Sequence, residues 1–344
     1  MPATETTASL PDLITRHLDL FACPQCGGSL QLSHDALACS GCRQAFGQDH
    51  GIPQLFWPNE WDSSKGDVTE MVKQFYEKTP FPNYDRLDSA ASLREKACKG
   101  MFARLLDEQI RPGATVLEAG CGTGQLSNFL GMTTDRRVFG TDICLNSMKL
   151  ATKFRNENQI EEVAFVQMNL FKPVFKPGTF DVVISNGVLH HTSDPFGGFK
   201  SISRLVKPRG HMLIGLYNKY GRLTTDFRRL LFRAFGRRFS FFDDHLASKN
   251  VEEQRKHAWY MDQYEHPHES KHTFGEVLEW FDQTDFEFVS AIPKPTAFDP
   301  FSESEKLFEP HSKGSTLDHF LAQAGMLLTG GKDGALFIMI GQKK

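Results

Sequence analysis

The chain has 344 residues, enough for one large domain plus a small one, and 40% hydrophobic residues can bury a substantial core, which excludes a single small module. Charged residues make up 24% and nearly balance, for a net charge of -3, so the chain lacks the basic bias of a general nucleic-acid binder. No apolar run approaches the ~20 residues that cross a bilayer, and the Thr-rich, acidic start is not a basic segment leading into an apolar one, so the expected address is the cytoplasm.

Residues 1–20 read as a frayed lead-in with a short amphipathic piece at 13–20. A cysteine module spans 21–58, closed by Pro53, Trp57 and Pro58. Its Cys23-Pro24-Gln25-Cys26 and Cys39-Ser40-Gly41-Cys42 knuckles flank a hairpin-length segment, and two such pairs converge tetrahedrally on one ion. Zinc is the expected metal, with iron or a redox disulfide as the alternatives. Four thiolates saturate the ion, so Cys23, Cys26, Cys39 and Cys42 should form a structural site, whereas Cys98, Cys121 and Cys144 read as free thiols.

The large domain is expected over 64–344. Helical spacing of Val68, Met71, Val72, Phe75 and Tyr76 predicts a helix over 67–78, stopped by Pro80 and Pro82, and a second helix fits 91–110. Short apolar runs then alternate with amphipathic stretches, the pattern of a parallel sheet wrapped by helices. Strands are expected at 115–119, 137–141, 163–168, 180–185, 211–217, 286–292 and 335–340, and helices at 125–130, 145–158, 196–206 and 274–281. The fold class is therefore α/β: a Rossmann-like, seven-stranded, mostly parallel sheet with helices on both faces. The cofactor core should lie at about 100–218. Two stretches left over, 219–272 and 294–333, are candidate lids, the first a helical cap.

Gly120, Gly122 and Gly124 follow an apolar strand and lead into a helix, where bare backbone can approach a ligand. A dinucleotide fingerprint would need its third glycine at position 125, which is Gln125, and Glu118 is poorly placed for a pyrophosphate but well placed for an ammonium group. The expected ligand is cationic. Asp142, ending the second strand, is spaced to accept both hydroxyls of a ribose, or else to cap the next helix. After the third strand, the Asn169 amide oxygen can accept from an adenine amino group while Leu170 packs on the ring; Asn169 as a turn residue is the alternative.

Residues 113–218 resemble the class I S-adenosylmethionine-dependent methyltransferase family, with several motifs in order. The stretch 116–124 resembles the cofactor loop and Gly140-Thr141-Asp142 the ribose-binding acid. Phe180 to Asn186, followed by Val188-Leu189-His190-His191, resembles the fourth strand and the turn facing the reaction centre, and 204–210 the turn before the fifth strand. The resemblance implies S-adenosylmethionine held by Glu118, Gly120, Gly122, Gly124, Asp142, Asn169, Leu170 and Asn186. The family usually has an acid at the adenine position, where this chain has Asn169. The cysteine module resembles the zinc ribbon of the small activator subunit of tRNA and protein methyltransferases, and a ribbon ahead of such a domain resembles the layout of a ribosomal RNA guanine methyltransferase family.

Methyl transfer from a sulfonium needs mainly alignment and exclusion of water, worth ~7–11 kcal/mol. An acceptor that must lose a proton also needs a base. His190, His191, Asp194, Tyr217 and Asn218 are near the expected strand ends, with turn roles as the alternative for the histidines. A denser cluster runs from Asp262 to Glu269, with Tyr264, His266 and His268, followed by His272; it reads as a solvated loop, with acceptor contact or a metal as alternatives. The stretch 222–239 reads as an amphipathic helix with Leu223, Phe227, Leu230, Leu231 and Ala234 on one face and Arg222, Arg229, Arg233 and Arg237 on a flank. Those arginines sit in solvent, cover an anionic acceptor, or touch a membrane surface. The expected activity is methyl transfer to a lipophilic or anionic small molecule. Two other readings are an RNA methyltransferase that docks through the ribbon, disfavoured because Arg43 is the lone cation around the knuckles, and a non-catalytic partner that keeps the fold.

Overall fold

The computed structural model describes residues 9–34, 36–61, 68–82, 89–132, 135–248, 251–329 and 335–344. The chain opens with α1 (Asp12–Arg16) and the ribbon strands β1 (Leu30–Ser33), β2 (Ala36–Cys39), β3 (Ala45–Phe46), β4 (Gln48–Asp49) and β5 (Ile52–Pro53). Helices α2 (Thr69–Lys78), α3 (Ala90–Lys99) and α4 (Met101–Gln109) follow. The single helix expected at 91–110 is broken because Gly100 is extended, with φ -83° and ψ 115°, and caps both halves.

Then come β6 (Thr115–Ala119), α5 (Gln125–Met132), β7 (Arg137–Asp142), α6 (Leu145–Glu157), β8 (Val163–Gln167), β9 (Phe180–Asn186), α7 (Pro195–Ser203) and β10 (Val206–Tyr217). The remaining elements are α8 (Leu223–Phe235), α9 (Asp244–Ala247), α10 (Glu253–Tyr264), α11 (Phe274–Gln283), β11 (Phe286–Ile292), α12 (Thr316–Thr329) and β12 (Leu336–Lys343). All seven expected strands form one sheet, in the order β11-β12-β10-β9-β6-β7-β8. Strand β12 runs antiparallel to both its neighbours, while β10, β9, β6, β7 and β8 pair in parallel. The winding reverses between β6 and β9, so the ligand crevice of such a sheet should open at the carboxyl ends of these two strands.

Alternate residues of each strand feed two cores. Val116, Val138 and Ile184 pack with Leu105, Phe129 and Met148 of α4, α5 and α6 on one face. Leu117, Phe139 and Val183 pack on the other with Phe199 of α7 and Phe281 of α11. Between β8 and β9, residues 168–179 form no helix, so β7 and β8 lack a crossover helix on this second face. The ribbon covers it: Leu13, Ile14, Phe21, Leu37 and Leu55 are essentially inaccessible and belong to the same core as Phe139 and Phe180. Phe21 packs on Phe175 and Phe139 at centroid distances of 4.6 and 5.9 Å. Each such burial contributes ~1.5–3 kcal/mol. The amphipathic piece expected at 13–20 forms α1 and a short turn of helix at Leu18–Leu20, with Leu13 and Ile14 clamped to the sheet edge, while residues 1–8 lie outside the described residues.

The second late stretch, 294–333, does not reach the crevice where it is described. Leu307 and Glu305 bond Gln109 at the far end of α4, and residues 330–333 lie outside the described residues. Among the described residues, no helix is long and apolar enough to cross a membrane.

Candidate active site

A cavity of about 420 Å³ opens at the carboxyl ends of β6, β7, β9 and β10, where Glu118, Asp142, Asn186 and Tyr217 face it. This volume is in the usual range for small-molecule sites, ~300–1,000 Å³. Gly120 and Gly122 line it. Gly122 has φ +53°, and a Cβ there would lie 2.6 Å from the Phe81 carbonyl oxygen, because the segment after α2 crosses directly over the loop. Gly124 serves packing rather than the cavity: a Cβ there would come within 2.6 Å of Ala151 and Phe165.

Glu118 is buried, which pushes its carboxyl up to about 7, although the Ser127 hydroxyl donates to it. Asp142 is also raised by burial, while accepting the Gly122 and Cys144 backbone N–H groups, each at 2.8 Å. Two carboxylates on one wall, Glu118 buried and Asp142 half-buried, without a protein cation beside them in these bonds, suit a ligand that brings positive charge and hydroxyl donors. The Asn186 Oδ1 is buried without a hydrogen-bond partner, in space that exists because residue 215 is glycine: a Cβ there would sit 1.8 Å from that oxygen.

Leu170 lines the cavity together with Met168 and Ile143. Asn169 does not. Its amide nitrogen donates to the Trp57 carbonyl and to Asn59 Oδ1 at 2.9 and 2.8 Å, and its Oδ1 accepts the Phe171 N–H. The expected adenine contact is therefore replaced by a clamp on the end of the ribbon.

The other half of the cavity is built by α2, for which the sequence suggested no role, and by α10 of the 219–272 stretch expected as a cap. Helix α2 supplies Val72 and Tyr76, and α10 supplies Trp259, Asp262 and the adjoining Gln263. Glu77 of α2 holds this roof by accepting the Leu145 and Asn146 N–H groups at the start of α6, at 2.8 and 3.2 Å. The cluster at 262–269 is not a solvated loop: Asp262, Gln263, Tyr264 and His266 are buried. The cause is an ion pair beneath it. Arg222, fully buried, donates to both carboxylate oxygens of Glu269 at 3.0 and 2.7 Å, and Arg229 adds a bond at 3.0 Å. Buried though it is, Glu269 is held down at about 2 by these guanidinium groups.

Arg222 also fixes the orientation of Gln263, whose Oε1 accepts from Nη1 at 2.5 Å. Both amide hydrogens of Gln263 then point away, one to the Tyr217 hydroxyl at 2.9 Å and one to Asp262 Oδ2 at 2.8 Å. With its oxygen occupied as an acceptor, the Tyr217 hydroxyl keeps its own hydrogen for the cavity. Tyr76 donates to Asp262 Oδ1 at 2.9 Å, and burial raises the Asp262 carboxyl.

The expected bases are placed differently from one another. His191 lines the cavity, but its Nδ1 donates to the His268 carbonyl at 2.9 Å and its Nε2 meets His190 Nε2 at 3.1 Å. His190 must donate in that contact, so both nitrogens of His191 are engaged, and burial lowers the ring to about 4. His190 is buried behind it and stacked on Tyr217 at 3.9 Å. His266 stacks on His191 at 3.7 Å outside the cavity lining, and burial takes it down to about 3. Tyr264 points elsewhere, donating to Asp243 at 2.5 Å in a small core with Phe232 and Leu246. His268 donates or accepts at the Thr192 carbonyl, and as that group only accepts, the ring is the donor, at 3.0 Å. Asp194 caps α7 through the Gly197 N–H, Asn218 accepts the Tyr220 and Gly221 N–H groups, and His272 meets Ser270 and Glu276.

The four ribbon sulfurs lie within 4.8 Å of one another, with pairs at 3.7 Å for Cys23 and Cys42 and 3.4 Å for Cys26 and Cys39. Sulfurs ~2.3 Å from a tetrahedral ion are separated by ~3.8 Å, so the donors fit one zinc. Within the cluster the thiols differ: backbone N–H groups of Cys42 and Gly41 lower Cys39 to about 6, whereas burial pushes Cys23 up to about 12, so a bound cation is needed to hold all four as thiolates.

Residues 117–214 match the methyltransferase domain family. The chain carries a class I methyltransferase domain. A 26% identical stretch of 147 residues, 42% of this chain and 61% of the relative, is shared with a demethylmenaquinone methyltransferase of Bacillus mycoides. A cycloartenol-C-24-methyltransferase of Oryza sativa is 27% identical over 166 residues, 44% of this chain and 47% of its own. An uncharacterized protein of Synechococcus is 25% identical over 256 residues, 64% of this chain and 60% of its own. The chain thus spans from about half to three fifths of the length of these relatives. Among solved structures, PKMT2 from Rickettsia typhi in complex with AdoHcy superposes with a TM-score of 0.51 at 14% identity, covering 75% of this chain and 54% of that one, which places the methyltransferase domain in a common fold.

Proposed function

We propose that this protein is an S-adenosylmethionine-dependent methyltransferase acting on a small, lipophilic acceptor; the anionic alternative loses its support because Arg222 and Arg229 pair with Glu269 and no Lys or Arg among the described residues lines the cavity. The observation that carries the reading is the pair of carboxylates, buried Glu118 and half-buried Asp142, facing the same cavity that Tyr76, Tyr217 and Asp262 close from the other side. The cofactor would supply an activated methyl group on a sulfonium. Glu118 would face the amino group, Asp142 the ribose hydroxyls, and Leu170 with Met168 the base. Tyr217 donates a hydrogen bond to an acceptor oxygen, and Tyr76 with Asp262 forms the route by which an acceptor proton leaves: the Tyr76 oxygen accepts it while the Tyr76 hydrogen passes to Asp262. The roof excludes water from the transfer.

The small-molecule reading is supported by the cavity's size and by its apolar rim of Val72, Phe81, Trp259 and Leu336. It also agrees with the names of relatives that act on demethylmenaquinone and cycloartenol. A structural zinc in the ribbon is part of the proposal, since the four cysteines converge and the ribbon's apolar side belongs to the core of the sheet. The test is to incubate the protein with methyl-labelled cofactor and cell extract and to separate RNA, protein and small molecules. Label in the small-molecule fraction, absent with Asp142→Ala, is expected; label in RNA overturns the acceptor class, and no binding of S-adenosylmethionine overturns the activity.

A further inference from the structure

Helix α8 leaves most of its expected apolar stripe outside. Leu223, Phe227 and Leu230 are 52%, 61% and 65% exposed, Ala234 is exposed and Leu231 half-buried, and Phe235 beyond them is 57% exposed, while the inward face carries Thr225 and Phe232 together with Arg222 and Arg229, which turn to Glu269. The expected helix over 222–239 also stops at Phe235, and the side chain of Arg237 lies outside the described residues. Next to this stripe stands α12, whose Leu317, Phe320, Leu321 and Leu327 are exposed as well. A groove lined by Leu223, Phe227, Phe242 and Leu327 joins the two helices into one apolar surface. Scattered apolar side chains need no explanation, but a continuous two-helix face marks an interaction site.

Charge tells which partner fits. Residues 219–238 contain seven lysines and arginines against the single acid Asp226, in a chain whose net charge is -3. Two of the seven are spent inward on Glu269 and Arg228 bonds the buried Tyr264, but Lys219 and Arg233, which flank the apolar stripe in the chain, are exposed. Along α12, residues 319–329 contain no Asp, Glu, Lys or Arg. An apolar face bordered by cations with long aliphatic stems is the form of a helix lying in a membrane interface, stems in the acyl boundary and charges at phosphates. A second copy of the chain would bring the same cations against one another. We propose that the α8 and α12 face docks on an anionic lipid surface, with Phe227, Leu230 and Phe320 entering the headgroup boundary.

The test is flotation of the full chain with vesicles of phosphatidylcholine alone or of equal parts phosphatidylcholine and phosphatidylglycerol. Binding should require the anionic lipid, weaken with added salt, and fall at least about tenfold in the double variant Phe227→Glu and Leu230→Glu. Because both side chains are exposed, this variant should unfold at the same temperature as the parent. Lys219→Gln with Arg233→Gln provides a second variant, expected to flatten the salt dependence without touching the apolar face. The proposal is overturned if the chain floats with neither vesicle, if the Phe227→Glu, Leu230→Glu variant floats like the parent, or if the parent is a dimer without vesicles that this variant dissociates.

Discussion

Glu118 should make cofactor binding depend on pH near neutrality. Burial raises its carboxyl from an ordinary 4.5 to about 7 in the ligand-free protein, a cost of about 3 kcal/mol for keeping it ionised. For an acid with a raised value, the proton is held below pH 7 and released above it. A cation docking against the carboxylate lowers that value, so binding expels a proton below pH 7 and none well above it. The dissociation constant should rise about tenfold for each pH unit below 7. Above about pH 8 the ligand's own amino group, with an ordinary value of ~7.7–8.0, loses its charge, so affinity should peak between. Calorimetric titration of S-adenosylmethionine at about pH 6 and about pH 8, in buffers with different ionisation heats, reads both affinity and proton release. Glu118→Gln should bind weakly and without the slope, and Ser127→Ala, which removes a donor to the carboxylate, should move the break upward. A constant affinity across this range, or an unchanged slope in Glu118→Gln, refutes the reasoning.

Glu269→Gln leaves Arg222 buried and uncompensated and should cost ~3–5 kcal/mol in chemical denaturation. In the parent protein the depressed Glu269 contributes stability that is complete above its ordinary value of 4.5 and lost as pH falls from there toward about 2, so acid unfolding should shift to higher pH in the variant. Metal analysis should find one zinc per chain, and chelation should lower the melting temperature of the whole domain, since Phe21 and Leu37 share its core. Gly122→Ala must displace the Phe81 carbonyl and adopt a left-handed backbone, and equilibrium dialysis should show at least about tenfold weaker cofactor binding. With an acceptor that loses a proton, Asp262→Asn should reduce kcat ~10²–10⁴-fold and flatten the acid limb of its pH profile while leaving cofactor affinity near that of the parent.

The sheet was legible because its strands are buried on both faces and so read as continuous apolar runs. The cavity wall that carries Glu118, Gly120, Gly122 and Asp142 was legible because these residues sit at fixed offsets from strand ends. Asn169 shows where local reading stops: an amide after a strand can serve a ligand or a carbonyl, and its partner, Trp57, is 112 residues away. Tyr264 and His266 lie in the same short cluster as Asp262 and Gln263, yet only the latter two reach the cavity, because the rotation of α10 is set by Arg222 and Asp243 from other segments. Nor does any pattern within 67–78 reveal that α2 roofs the site; that follows from Glu77 capping α6 at Leu145, 68 residues further along the chain.

The inverted α8 follows from the same network. A helix normally buries its Leu and Phe stripe, and here the inward face, from the residue just before the helix onward, carries Arg222, Thr225, Arg229 and Phe232. The bidentate pair with Glu269 and the ordering of Gln263 and Tyr217 require Arg222 to be inside, and once it is, helical periodicity turns Leu223, Phe227 and Leu230 outward. The apolar surface and the acceptor wall are thus opposite faces of one constraint. Arg222→Leu tests this directly: freed of the ion pair, α8 can rotate its leucines inward, and the expected result is loss of both vesicle binding and turnover. Loss of turnover with vesicle binding intact would show that the helix is held in its present orientation by something other than the buried pair.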